Sequence, residues 1–197
     1  MATVHNTLRQ KILRRRDGLP AEQRNALSTR ITELLLDIDK LSRATSFFIY
    51  VSFRSEVETL PLINYLLEQE KTVTVPWTDC KAKKLLAVRI TDPKRDLAPG
   101  YCNIPEPTPP LREQEQFDPS LLDVIIAPGS VFDRRGGRMG YGGGYYDRFL
   151  AQDAPQAKRI ALAYDLQMVE RLTLHPHDQF MDMIVTQSGI QRFTRET

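Results

Sequence analysis

A chain of 197 residues, 41% hydrophobic and 26% charged, has the size and balance of one soluble globular domain, expected here over residues 1–197. A formal net charge of +2 is too small to argue for nucleic acid. No apolar run approaches the roughly 18–20 residues of a membrane span, and Cys80 and Cys102 have neither metal-ligand nor redox spacing. The expectation is a cytoplasmic protein with free thiols, no nucleic-acid or membrane partner, and a monomeric or weakly dimeric state.

Leu8 and Ile12 lie four apart, as on one helix face, in an acid-free stretch that ends in Arg14-Arg15-Arg16. That stretch reads as an exposed basic helix face rather than a transit segment or an RNA-binding arm. Its apolar positions keep a core-facing pattern, and no aromatic residues are interleaved. Asp17-Gly18-Leu19-Pro20 breaks the helix, and Leu27, Ile31, Leu34, Leu35 and Ile38 give the stripe of a second. Residues 46–51, apolar, aromatic and β-branched, predict a buried strand. Leu60, Ile63, Leu66 and Leu67 share a helix face, with Thr59 as its candidate cap and Pro61 tolerated in the first turn. Strands are predicted over 72–75 and 85–90, and a proline- and charge-rich crossing loop over 92–119. Residues 121–127, 159–164 and 183–186 predict three further strands, with a helix over 145–150. This alternation predicts an α/β fold: a three-layer Rossmann-like sandwich, its mainly parallel sheet covered by helices on both faces. Ligands bind such sheets at the carboxyl ends of the strands.

Seven of the ten glycines fall between Gly129 and Gly144, after the strand predicted to end at Ala127. A glycine-rich turn between a strand and a helix lets main-chain N–H groups approach phosphate. Arg138 adds a fixed positive charge there, and Asp147 a carboxylate able to hold a metal. The sequence G-x-x-x-x-G-K-[ST] is absent, so this is not a P-loop. Gly140-x-Gly142-x-Gly144 lacks the third glycine of a dinucleotide fingerprint at its proper spacing. A tight turn needing positive φ also uses glycine, but it accounts for only one or two of them. His175-x-His177-Asp178 has no cysteine or third clear ligand to make a zinc site.

Pro128-Gly129, Phe132-Asp133 and Gly136 through Asp147, closing on Gly142-Gly143-Gly144-Tyr145-Tyr146-Asp147, resemble the signature of the 5-formyltetrahydrofolate cyclo-ligase (5,10-methenyltetrahydrofolate synthetase) family. The resemblance extends to Leu8-Arg9, to residues 19–24, to Tyr50-Val51-Ser52 through Glu56, and to Asn103-Ile104-Pro105-Glu106-Pro107. It implies cyclisation of 5-formyltetrahydrofolate, with or without a polyglutamate tail, to 5,10-methenyltetrahydrofolate, using ATP and Mg2+ and releasing ADP and phosphate. Phosphorylating the formyl oxygen would turn a poor leaving group into a good one, and N10 would then attack the activated carbon. Such chemistry is mostly positioning and charge neutralisation.

The resemblance also assigns residues. It makes Arg138, Tyr145 and Asp147 catalytic. It places ATP against His5, Arg9, Arg138, Met139, Gly140, Tyr141, Gly142, Gly143, Gly144, Tyr145 and Tyr146. It places the folate against Val51, Glu56, Tyr141, Gly142, Gly143, Gly144 and Tyr145, and magnesium against Asp147 and Asp178. His5 stands where the family often has lysine, so Lys11 or Arg14 is an alternative source of that charge. Local readings stay open beside these: Arg9 as a surface helix charge, Asp178 as a turn aspartate, Glu56 as a loop carboxylate, Val51 and Trp77 as packing residues. The alternative for the whole chain is a nucleotide- or sugar-phosphate-binding protein of similar fold without folate activity.

Overall fold

The structure, a computed structural model, describes residues 2–194, with side chains described at 7–39, 41–100 and 102–194. Helices α1 (Ala2–Asp17) and α2 (Ala21–Leu36) are separated at the expected break, where Pro20 supplies the extended residue before α2 (φ −55°, ψ 147°). Next come α3 (Asp39–Ser42), β1 (Ser46–Ile49), α4 (Leu60–Glu68), and the hairpin β2 (Thr72–Asp79) with β3 (Lys84–Ile90). The proline-rich crossing is not structureless: it holds α5 (Pro93–Asp96), β4 (Leu97–Pro99), β5 (Pro105–Pro107) and α6 (Pro109–Gln114). Then follow β6 (Val124–Ala127), β7 (Val131–Asp133), β8 (Arg138–Met139) and α7 (Tyr145–Arg148). The chain finishes with β9 (Lys158–Leu162), β10 (Met168–Val169), β11 (Met183–Thr186) and β12 (Gly189–Arg192).

The main sheet has seven strands in the order β12-β11-β9-β6-β1-β2-β3. Its inner strands, from β11 to β2, are all parallel, and β12 and β3 are antiparallel edges. Strand residues alternate between faces, so Phe47, Ile49, Val73 and Ile126 meet Ile31 and Leu35 of α2 and Leu62 and Ile63 of α4. Phe48, Ile125, Ala161 and Ile184 face the other way, onto Phe132 of β7 and Phe149 and Leu150 just past α7. This is the expected α/β arrangement with both faces covered. Helix α1 lies off the main sheet. Its Ile12 packs with Val131, Met139 and Leu172 against the small sheet β10-β7-β8.

Several local expectations are corrected. β2 runs on through Pro76 to Asp79 because β1 pairs only with Thr72–Thr74; beyond that point a missing N–H costs no ladder bond. Residues 121–123 are not strand: Asp118 accepts from Ser120 N at 2.9 Å and starts a short 3-10 turn there. Thr59 does not cap α4; its hydroxyl instead donates to Tyr50 O at 2.7 Å. The helix predicted over 145–150 is α-helical only to Arg148 and then widens into a π turn, Phe149–Asp153, which carries Phe149 and Leu150 into the core. β12 was missed, since an edge strand reading Gly-Ile-Gln-Arg has no apolar run to betray it.

Candidate active site

β1 and β6 are neighbours, but their chains depart to opposite sides, β1 toward β2 and β6 toward β9. The divergence opens a crevice at their carboxyl ends. A cleft of about 1080 Å³ lies there, walled by α1, by the segment after β1, by the glycine segment after β6, and by residues 173–178. Pro76 and Thr78 of β2 border it. Trp77, between them, alternates away and carries the Arg112 guanidinium 5.5 Å from its ring centre.

The glycine stretch is not one loop. The β7–β8 hairpin is folded into it, and the glycines divide accordingly. Gly136 (φ +88°) serves the hairpin turn, where a Cβ would lie 2.8 Å from Met181 O. Gly142 (φ +101°) belongs to the exposed turn over the cleft, and a Cβ there would lie 3.5 Å from Arg9 Nη1. Gly144, left-handed at φ 64°, then precedes α7. So Arg9, Met139 and the turn from Gly140 to Tyr145 border one cavity, as the ATP and folate assignments require. Of His5, only the backbone in α1 is described, and its side chain lies outside the described residues. Lys11 and Arg14 are exposed and do not border the cleft.

Arg138 and Asp147 are held against each other. Arg138 Nη2 donates to Asp147 Oδ1 at 2.7 Å and Nη1 to Pro128 O at 3.2 Å, with the guanidinium 5.6 Å from the Tyr146 ring centre. Asp147 Oδ1 also accepts from Gln179 N at 3.2 Å, which brings the 175–178 segment beside it. There Asp178 Oδ2 accepts from His175 N at 2.7 Å, and the His175 and His177 rings stack at 5.4 Å. Three buried atoms on this cleft, Arg9 Nε, Arg138 Nε and the Tyr146 hydroxyl, have no hydrogen-bond partner among the described residues. Buried polar groups rarely stay unpaired, so these atoms stand out on the border of the cleft.

Val51, after β1, is a core residue that also borders the cleft. Glu56 is buried; its Oε1 accepts from the Tyr141 hydroxyl at 2.6 Å and its Oε2 from Phe53 N at 3.0 Å. Burial pushes its carboxyl pKa up, against the pull of Tyr141 and Arg16. Tyr145 packs its ring on the core beside β7, under the Arg148 guanidinium at 5.1 Å.

Arg16 corrects the reading of the basic run as solvated. Arg14 and Arg15 are exposed, but Arg16 is 3% exposed. Its Nε donates to Ser55 Oγ at 3.0 Å, Nη1 to Gly129 O at 3.4 Å, and Nη2 to the Tyr141 hydroxyl at 3.0 Å. The signal was present: Arg16 follows Leu8 and Ile12 on one helix face, four residues on.

A sequence profile of the 5-formyltetrahydrofolate cyclo-ligase family matches residues 2–187. The chain belongs to that family. The Escherichia coli K12 5-formyltetrahydrofolate cyclo-ligase is 29% identical over 180 residues, covering 91% of this chain and 98% of the relative. The Haemophilus influenzae enzyme of the same name is 31% identical, over 90% of this chain and 95% of its own. Among solved structures, Aquifex aeolicus 5,10-methenyltetrahydrofolate synthetase superposes with a TM-score of 0.84 at 29% identity, covering 98% of this chain and 95% of that one. As a cyclo-ligase family member, the chain has its glycine segment, Val51 and Glu56 on the border of one cleft.

Proposed function

We propose that this protein closes 5-formyltetrahydrofolate to 5,10-methenyltetrahydrofolate with consumption of ATP. One observation carries the reading. A single cleft of about 1080 Å³ is bordered both by the glycine turn with Arg9, Arg138 and Asp147 and by Val51 and Glu56, and the Tyr141 hydroxyl of the turn reaches Glu56 at 2.6 Å. It thus offers adjacent places for a phosphate chain and a pterin, as a reaction between two bound molecules demands.

In this reading the γ-phosphoryl group passes to the formyl oxygen and ADP leaves. N10 attacks the activated carbon and loses its proton, and phosphate departs with the former formyl oxygen. The turn from Gly140 to Gly144 leaves its main chain open to the phosphates, and Arg9 and Arg138 place positive charge there. Glu56 accepts hydrogen bonds from the pterin N–H groups, and Val51 and Tyr145 supply apolar surface for the ring. Asp147 and Asp178 are hard oxygen donors on the same wall. Among the described residues no group of three or more His, Cys, Asp and Glu forms a metal site. That donor set fits Mg2+, which takes one or two carboxylates and draws its other ligands from phosphates and water. When bound, the ion would neutralise charge on the phosphates, and Asp147 would then exchange part of its Arg138 pairing for it.

Purified protein mixed with 5-formyltetrahydrofolate, ATP and Mg2+ is expected to develop the near-ultraviolet absorbance of the methenyl product, one ADP per turnover. ATP hydrolysis without that band, or no reaction with either substrate, overturns the proposal.

A further inference from the structure

We propose that Arg16 is a positioning residue for the folate side of the cleft, holding Glu56 as an oriented, ionised acceptor through the hydroxyl of Tyr141. The inference rests on the reading of Glu56 as the pterin contact. A guanidinium has only donors. The Tyr141 oxygen therefore accepts from Arg16 Nη2 at 3.0 Å, and its one proton is directed to Glu56 Oε1 at 2.6 Å, a length typical of a hydroxyl on a carboxylate. Phe53 N fixes the other oxygen at 3.0 Å. Each carboxylate oxygen thus has one protein donor, and its remaining acceptor capacity is left on a group that lines the cleft. Tyr141 reaches this network with its hydroxyl although the residue is 52% exposed, so the contact holds the glycine turn by one oxygen.

Arg16 touches three separate segments. It binds Ser55, beside Glu56; Gly129, after β6; and Tyr141, in the glycine turn. Ser55 Oγ donates in turn to Asp17, the next residue of α1. The groups facing Glu56 are Arg16 from α1, Tyr141 from the turn, Tyr50 after β1 and Tyr146 in α7. Burial raises the Glu56 pKa, and Arg16 is the cation that opposes it. Without that charge the buried carboxyl is easier to protonate, and its protonated form presents a donor where the pterin needs an acceptor.

The test compares the wild type with Arg16→Gln, Tyr141→Phe and the double variant. Steady-state rates give KM for each substrate, and carbon-13 NMR of the ligand-free protein follows the Glu56 carboxyl through a pH titration. Loss of one charge-assisted hydrogen bond is expected to raise the folate KM about tenfold in each single variant, with a clearly smaller rise in the ATP KM, since Tyr141 also sits on the turn that faces the phosphates. The double variant should match the more impaired single variant, because both break one chain of contacts. Glu56 should titrate at higher pH in both single variants, and the acidic limb of kcat/KM for folate should move up with it. Parallel rises in both KM values, additive effects, or an unmoved Glu56 titration overturn the proposal. Should Arg16→Gln fail to fold, Tyr141→Phe, altered at an exposed residue, decides by the same KM split and titration. A wild type that does not turn over folate sinks the functional reading, while the NMR titration still reports whether Arg16 governs Glu56.

Discussion

Asp147 has two partners in the ligand-free protein, Arg138 Nη2 at 2.7 Å and Gln179 N at 3.2 Å. The Arg138 pair is well shielded, with side chains 3% and 15% exposed. Asp147→Asn keeps the shape but leaves the Arg138 charge without its counter-ion. The expected result is a fall in kcat of about 100-fold or more, with a higher Mg2+ requirement, because a lost charge at a phosphoryl-transfer site acts on the transition state. A rate profile across a Mg2+ titration that matches wild type refutes the role.

At the scale of elements, the glycine segment separates structural from functional demands. Gly136→Ala places a methyl 2.8 Å from Met181 O at φ +88°, in the turn of the β7–β8 hairpin. It is expected to cost about 1–3 kcal/mol of stability, read from urea unfolding. Gly142→Ala has room beside Arg9, though its φ of +101° is strained. It is expected to raise the ATP KM well above wild type with a smaller loss of stability, and the reverse ordering contradicts this division. The sequence made the parallel strands β1, β2, β6, β9 and β11 legible because buried parallel strands tend to be apolar runs, as in Phe47-Phe48-Ile49 and Ile125-Ile126. It hid the β7–β8 hairpin, whose strands are two and three residues long. The Gly140–Asp147 segment was legible by resemblance, and the cleft does bring Arg9, Val51, Glu56 and Asp178 to it. Arg16 was passed over because a run of three arginines at a helix end reads as solvated surface. Only the burial of its last member, by contacts 39 to 125 residues away, shows otherwise.

For the molecule as a whole, two multiply bonded carboxylates, Asp133 buried and Asp123 exposed, tie distant segments together. Asp133, fully buried, accepts from Arg135 N, Gly137 N and Leu172 N at 2.8–2.9 Å and pairs with the Arg135 side chain. Asp123 accepts from Thr45 N, Ser46 N and both hydroxyls. Burial opposes ionisation, but these donors outweigh it and hold both pKa values below the ordinary carboxylate range. A carboxyl depressed in the folded state stabilises fully above its unfolded pKa and loses that contribution as pH falls through the folded one. Stability should therefore fall steeply below about pH 4. Asp133→Asn is expected to cost about 2–4 kcal/mol near neutral pH and to flatten the acid limb. Thermal midpoints measured from pH 2 to 7 check both, and an unchanged acid limb would mean that Asp133 is not titrating there.

The strand order also bears on how the polypeptide is born. β1 is made early and finds β2 soon afterward, but its other neighbour, β6, begins only at Val124. Throughout that interval the Phe47-Phe48-Ile49 backbone has one bare side, the kind of edge that recruits strands from other chains. Translation that stalls between β3 and β6 would leave a sticky, half-built sheet on the ribosome, incapable of turnover because the whole glycine segment has yet to be synthesised.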